Sequence, residues 1–162
     1  MIVNDSVAVV TGGASGLGFA SARALAAVGR AVALWDINGA RAESAAEQIR
    51  SEFGVAAIGL AVDVRDPAAI VQAAEASRPA LPSIGGIVHC AGIVDTASLE
   101  GITIESWDDG INIHLRPIVL LLQAFLEDLK GNPGSAVVAT ASINATLGNA
   151  VNPIYTAAKG GV

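Results

Sequence analysis

The chain reads as an α/β protein built on a doubly wound parallel sheet, and three features of the sequence predict this. Five short segments are continuously apolar and rich in Val or Ile, as strands covered on both faces must be. Longer Ala-rich segments separate them, the alternation expected of right-handed βαβ units. A glycine-rich turn, TGGASGLG at 11–18, joins the first strand to the first helix.

The elements follow in order. VAVVT (7–11) is the first strand, and a helix follows over 16–28. AVALWD (31–36) is the second strand, ending on Asp36, with a helix over 39–52. AIGLAVDV (57–64) is the third, closing on Asp63 and Val64. Asp66 before Pro67 is an N-cap with proline at the first helical position, opening a helix over 67–77. SRPALPSIGG (77–86) reads as a surface loop leading into the fourth strand, GIVHCAG (86–92). One long helix over 104–130 precedes the fifth strand, SAVVAT (135–140). Pro153 suits the first turn of a last helix, which carries Tyr155 and Lys159. No repeat, low-complexity tract or linker interrupts the pattern, so 1–162 reads as one domain.

The 104–130 helix is unusual. From Ile111 to Leu126 its apolar residues nearly encircle it, which predicts burial on two sides, one against the sheet and one against a partner subunit. Pro117 removes the N–H that would bond the Ile113 carbonyl, so a kink is expected beside Asn112.

Composition narrows the function. With 52% hydrophobic and 15% charged residues among 162, the chain is globular and long enough to bury a core. A net charge of −6 argues against a nucleic-acid or anionic-membrane partner. The single cysteine, Cys90, excludes an internal disulfide framework and any multi-cysteine metal site. MIVNDSVAVV has no basic region followed by an apolar one, and no apolar run reaches the roughly 18 residues of a membrane span. A soluble cytoplasmic protein without a metal is the expectation.

In the glycine turn, Gly12, Gly13, Gly16 and Gly18 let the backbone bend sharply and approach a pyrophosphate, which the following helix N-terminus attracts. The spacing is not GxGxxG, and alone it also suits a plain strand-to-helix turn. Asp36 ends the second strand where a carboxylate can accept hydrogen bonds from an adenosine ribose diol and repel a 2′-phosphate. No Arg or Lys occupies 13–15 or 37–38, and NAD is therefore favoured over NADP. Asp63 is placed either to meet the adenine edge or to serve as a turn aspartate.

Tyr155 and Lys159 are spaced i, i+4, about 6 Å apart on one helix face. A phenol is a poor acid–base group at neutral pH, and a neighbouring ammonium favours the phenolate. Ser142 lies just past the fifth strand, at the sheet edge where ligands of such folds bind, and its hydroxyl could orient a carbonyl or alcohol. Singly, the pair also suits a solvated helix face and Ser142 a turn.

Taken in order, TGxxxGxG at 11–18, Asp63–Val64, CAG at 90–92, Asn112, Ser142 and YxxxK at 155–159 run along nearly the whole chain. The sequence resembles the classical short-chain dehydrogenase/reductases. The words TGGASGLG and CAGI are also similar to those of the 3-hydroxyacyl-CoA dehydrogenase and 3-oxoacyl reductase branches. The resemblance implies a Rossmann fold with five strands present, ordered 3-2-1-4-5, and hydride transfer between NAD and a secondary alcohol or ketone. It implies that Tyr155 exchanges a proton with the substrate oxygen, while Lys159 favours the ionised tyrosine and holds the nicotinamide ribose. Ser142 would bond the substrate oxygen, and Asn112 would help hold a relay water. The loop positions Gly12, Ser15, Gly16, Leu17 and Gly18 would contact the cofactor. Asp36 matches its ribose position, Asp63 and Val64 its adenine position, and Cys90, Ala91 and Gly92 the segment beneath it. A homodimer or homotetramer through the 104–130 and Tyr155 helices is also implied.

Two departures stand out. The usual Asn-Asn-Ala-Gly is here HCAG, with His89 expected in the core, Cys90 as a buried strand-end thiol, and His114 as packing or surface. The chain also stops inside the Lys159 helix, so the family's further strand and substrate-covering helices are missing. It therefore reads as part of a longer enzyme, as a truncated nucleotide-binding product without catalysis, or as a partner-docking fragment.

Overall fold

The computed structural model describes residues 6–81 and 83–162. Five parallel strands form one sheet in the order β3-β2-β1-β4-β5. They are β1 (Val7–Thr11), β2 (Val32–Asp36), β3 (Ala57–Ala61), β4 (Ile84–His89) and β5 (Ala136–Ala139). Their registers align Thr11 with Trp35 and with His89, and Trp35 with Leu60, so the carboxyl ends of the strands form one rim.

Side-chain alternation sorts the core into two layers. Val7, Val9, Ala33 and Trp35 point to one face, where Ile70, Ala74, Leu121 and Phe125 cover them. Ala8, Val10, Val32 and Leu34 point to the other, beneath Ala22, Ala26, Ala46 and Ile49. The covering helices are thus α1 (Gly16–Ala27) and α2 (Gly39–Phe53) on one side, and α3 (Pro67–Ala80) with the segment carrying Leu121 and Phe125 on the other. Asn38 caps α2 through a bond from the Arg41 N–H, and Asp66 caps α3 through one from Ala68.

The expected loop at 77–86 is shorter than the sequence suggested. Helix α3 continues to Ala80 because Pro79 falls in its last turn, where it removes one bond without ending the helix. Ser77 binds back to the Ala73 carbonyl and receives the Trp35 indole N–H at 3.2 Å, anchoring that turn. Pro82, within the same predicted loop, lies outside the described residues. Strand β3 ends at Ala61, so Asp63 stands in the turn beyond it.

The single helix expected over 104–130 is three: α4 (Ile104–His114), α5 (Arg116–Ala124) and α6 (Leu126–Gly131). The first break, at Leu115, is the kink that Pro117 predicts, and beside it the His114 carbonyl lies 3.2 Å from His89 Nε2. The second break is at Phe125. Its ring stacks against Trp35 at 5.7 Å, and the Arg78 guanidinium takes the Ala124 carbonyl at 2.6 Å. A short α7 (Asn144–Leu147), not foreseen, packs against α8 (Pro153–Gly161). Strand β5 is an exposed edge, with Val137 41% and Val138 55% accessible.

Candidate active site

The rim of the sheet carries a cleft of about 500 Å³, within the size range of small-molecule sites. Its walls are Gly12, Ser15, Gly16, Leu17, Gly18, Asp36, Asp63, Val64, Cys90, Ala91 and Gly92, joined by Ile37, Val62, Arg65, Ile93 and Ile113. Apart from Gly13, which packs against Leu34, every loop, acidic and floor position singled out in the sequence therefore borders one space. Tyr155, Lys159, Ser142 and Asn112 do not line it.

The turn between β1 and α1 needs its glycines for two separate reasons. Gly12 has φ +63°, and a Cβ there would sit 2.9 Å from the Ala91 nitrogen. A Cβ at Gly18 would collide with the Gly12 carbonyl, so the helix could not seat on its own turn. Gly16, at φ +53°, is the contrasting case: a Cβ there would meet nothing within 4 Å and would project into open space. Ser15 stands at the N-cap of α1 without a capping bond from its hydroxyl.

Asp36 is held at the cleft by two backbone donors, Ala14 N–H to Oδ2 at 3.2 Å and Asn38 N–H to Oδ1 at 3.0 Å. Asp63 is occupied differently. Its oxygens accept three bonds from the Arg65 side chain, which holds the carboxyl below its usual range, and one from the Arg65 N–H. Arg65 also reaches Asp109 on α4 at 3.3 Å. This guanidinium at the cleft wall is a feature the sequence reading missed; its only signal was the DVRD spacing.

The floor is organised by His89. Its Nε2 faces the His114 carbonyl, which can only accept, so Nε2 carries the proton and Nδ1 accepts the Thr11 hydroxyl at 2.7 Å. The Thr11 oxygen in turn accepts the Ala91 N–H at 3.2 Å. Burial pushes the imidazole down to about 4, which keeps it neutral and preserves this direction of donation. His89 is thus the core histidine expected. Cys90 is not the buried thiol expected: it sits just past the end of β4, half-exposed on the cleft, with its Sγ 3.2 Å from Thr140 Oγ1.

Helix α8 brings up the second half of the site. Asp95 receives the Tyr155 N–H at 2.8 Å, capping the first turn from a neighbouring loop, and the Asn152 amide binds the Asp95 carbonyl. Lys159 is buried, donates to the Thr140 carbonyl at the end of β5, and lies 5.6 Å from the centre of the Tyr155 ring. Burial lowers its ammonium from the ordinary lysine range, with Cys90 acting in the opposite sense. Ser142 follows Thr140 by two residues and accepts the Asn144 N–H at the start of α7, the short helix that packs against α8. The ring beside Tyr155 is that of His114: the two meet edge-on at 5.3 Å and 82°. Asn112 borders neither the cleft nor a smaller cavity of about 120 Å³ between α4 and α8. Two residues along a helix is about 200° of rotation, which turns Asn112 away from the tyrosine when His114 faces it.

Among the described residues no helix is long and apolar enough to cross a membrane, and no cluster of three His, Cys, Asp or Glu is placed to hold a metal. Comparison with known proteins gives a single pattern. The short chain dehydrogenase family model matches residues 6–162. A D-threitol dehydrogenase of Mycolicibacterium smegmatis is 36% identical over 160 residues, covering 99% of this chain and 61% of that protein. The 3-oxoacyl-[acyl-carrier-protein] reductase of Escherichia coli is 31% identical over 162 residues, covering all of this chain and 65% of that one. Among solved structures, L-sorbose reductase from Gluconobacter frateurii, complexed with NADPH and L-sorbose, superposes with a TM-score of 0.92 at 28% identity. That match covers 98% of this chain and 60% of the reductase. A short-chain dehydrogenase/reductase from Burkholderia phymatum in complex with NAD gives 0.92 at 26% identity, over 99% and 58%. The chain spans about three fifths of the length of these relatives. With its five parallel strands in the order 3-2-1-4-5 and its motifs gathered on one rim, the chain belongs to the short-chain dehydrogenase/reductase family.

Proposed function

We propose that this chain forms the cofactor-binding and proton-exchanging part of an NAD-linked oxidoreductase acting on a secondary alcohol or ketone. One observation carries the reading: Lys159, buried at the end of β5, lies beneath the ring of Tyr155 on the same helix. A buried ammonium beside a phenol stabilises the phenolate that must take a proton from an alcohol.

The cleft fits a dinucleotide. The open space at Gly16 and the free Ser15 hydroxyl suit a pyrophosphate on the α1 N-terminus. Asp36, already oriented by two backbone donors, has lone pairs left for a ribose diol, and its charge disfavours a 2′-phosphate. Asp63, Val64 and Arg65 would border the adenine, while Cys90, Ala91 and Gly92 would lie beneath the nicotinamide end. When bound, the nicotinamide supplies the hydride acceptor or donor. Tyr155 then exchanges the proton of the substrate oxygen, Ser142 orients that oxygen, and Lys159 steadies the charge on the phenol. The named relatives act on a polyol, a sugar and an acyl thioester carrier, which agrees with a CH–OH carbon as the reacting centre. A soluble cytoplasmic setting and a homodimer or homotetramer agree with the family resemblance, and α5 and α6 expose Val119 and Leu126 for such contact.

A substrate panel followed by NADH absorbance tests the reading. Tyr155→Phe is expected to reduce turnover by at least about a hundredfold and to leave NAD affinity within about twofold. A phenylalanine variant as fast as wild type would refute the proton assignment. The exposed β5 edge favours a second reading, a nucleotide-binding fragment that docks onto a partner strand. NAD binding without turnover on any alcohol would select it.

A further inference from the structure

Four buried side-chain nitrogen or oxygen atoms lack a hydrogen-bond partner among the described residues, and two of them belong to residues lining one small cavity. They are Asp95 Oδ2 and His114 Nδ1, and the cavity, about 120 Å³, lies between α4 and the first turn of α8 with Tyr155 in its wall.

Both atoms are acceptors. His114 Nε2 lies 2.7 Å from the Ile93 carbonyl and 3.3 Å from the Ile93 nitrogen; the much shorter contact is to a group that only accepts, so the ring proton sits on Nε2 and Nδ1 keeps its lone pair. Asp95 uses Oδ1 for the Tyr155 N–H, and Oδ2 is a carboxylate oxygen with nothing to donate. Among the other polar wall groups, the Ser106 hydroxyl is engaged with the Thr103 backbone and Asp109 with Arg65. Two buried acceptors without a partner call for a small molecule with two hydrogens to give. Water meets this need, and the cavity is several times the roughly 30 Å³ that one occupies.

We propose that Asp95 Oδ2 and His114 Nδ1 share a bound water, and that this bridge positions Tyr155. The water fixes the loop behind Tyr155 to α4. Asp95 passes that constraint to the Tyr155 backbone, and the edge of the His114 ring sets the tyrosine ring. His114 and Asp95 are therefore positioning residues; neither has to touch substrate. The kinetic part of this proposal rests on Tyr155 being the proton-exchanging group, while the water site does not.

Three measurements test it. A crystal structure at about 1.2 Å should show an ordered water within about 3.2 Å of both atoms; a dry cavity, or a water touching only one of them, overturns the proposal. Titration of the His114 imidazole by NMR is the second. Burial lowers its pKa first of all and Lys159 on α8 adds to that, while the Ile93 carbonyl and Asp95 favour its cation; His89 on β4 stays neutral beside it. Asp95→Asn keeps an acceptor for Tyr155 N–H but removes that charge, so the midpoint should fall further; an unmoved midpoint refutes the pairing. Third, His114→Phe retains the edge-on ring and loses both nitrogens. A loss of about tenfold in kcat, with NAD affinity unchanged, is expected from a misplaced tyrosine, and unaltered kcat refutes the positioning role. Should wild-type protein turn over no alcohol, the oxidoreductase reading fails, and the crystal and titration results still decide the water site.

Discussion

The choice of cofactor turns on Asp36, and replacing it gives the sharpest test of how the cleft works. Asp36→Ala removes a carboxylate that Ala14 and Asn38 hold in place at 3.2 and 3.0 Å. Two effects of opposite sign follow. NAD loses at least one charge-assisted hydrogen bond from its ribose, worth about 1.5 kcal/mol, or roughly tenfold in affinity. NADP is relieved of a repulsion: unit charges about 5 Å apart repel by about 3 kcal/mol at an effective dielectric near 20, and less in the salt-screened cleft. Crediting about half of that, roughly another tenfold, the ratio of NAD to NADP affinity should fall by about a hundredfold. Fluorescence titration with NADH and NADPH at fixed ionic strength measures both constants on one sample. Raising the salt should shrink the wild-type preference and leave the variant's almost unchanged. A ratio that moves by less than threefold would mean Asp36 does not meet the ribose, and the orientation assigned to the cleft would be wrong.

Two further expectations concern stability. His89 is held neutral, with a folded value near 4 against an ordinary 6.5, so the unfolded chain binds more protons between these limits. Its contribution is complete above about pH 6.5 and is lost as pH falls toward 4, amounting to about 3 kcal/mol at most. His89→Asn should flatten that acid loss in urea melts from pH 7 to 4, and a wild-type slope in the variant would refute the assignment. Ser77→Ala leaves the buried Trp35 indole N–H without an acceptor. It should cost about 1–2 kcal/mol in urea unfolding, with the change reported by tryptophan fluorescence.

The strands were legible because a sheet covered on both faces forces continuous apolar runs, and the cleft because its loop, acid and floor positions all fall at strand ends. The helical region over 104–130 was less so. Its kink at Pro117 is a local property, but the break at Phe125 comes from Trp35 and Arg78, which contact it only after folding. The acidic residue Asp63 was visible; its guanidinium partner two residues on was not, since nothing in the sequence says which way a turn arginine will fold back. The same limit hid the place of His114. Spacing alone ranks Asn112 and His114 equally near the kink, and only the phase of α4 against α8 decides which one meets Tyr155. Asp95, which caps α8 from another part of the chain, had no local signature at all.

That cap has a practical consequence. Asp95 belongs to the same loop that descends from the cleft floor at Gly92, and it grips the tyrosine helix through both its side chain and its carbonyl. A reporter group on this strap, for instance at the exposed Ala97, would register both nucleotide arrival and any tilt of the phenol-bearing segment. One at the exposed Gly29, in the turn leading into β2 at the opposite end of the sheet, should stay silent to both, which makes it a ready internal control.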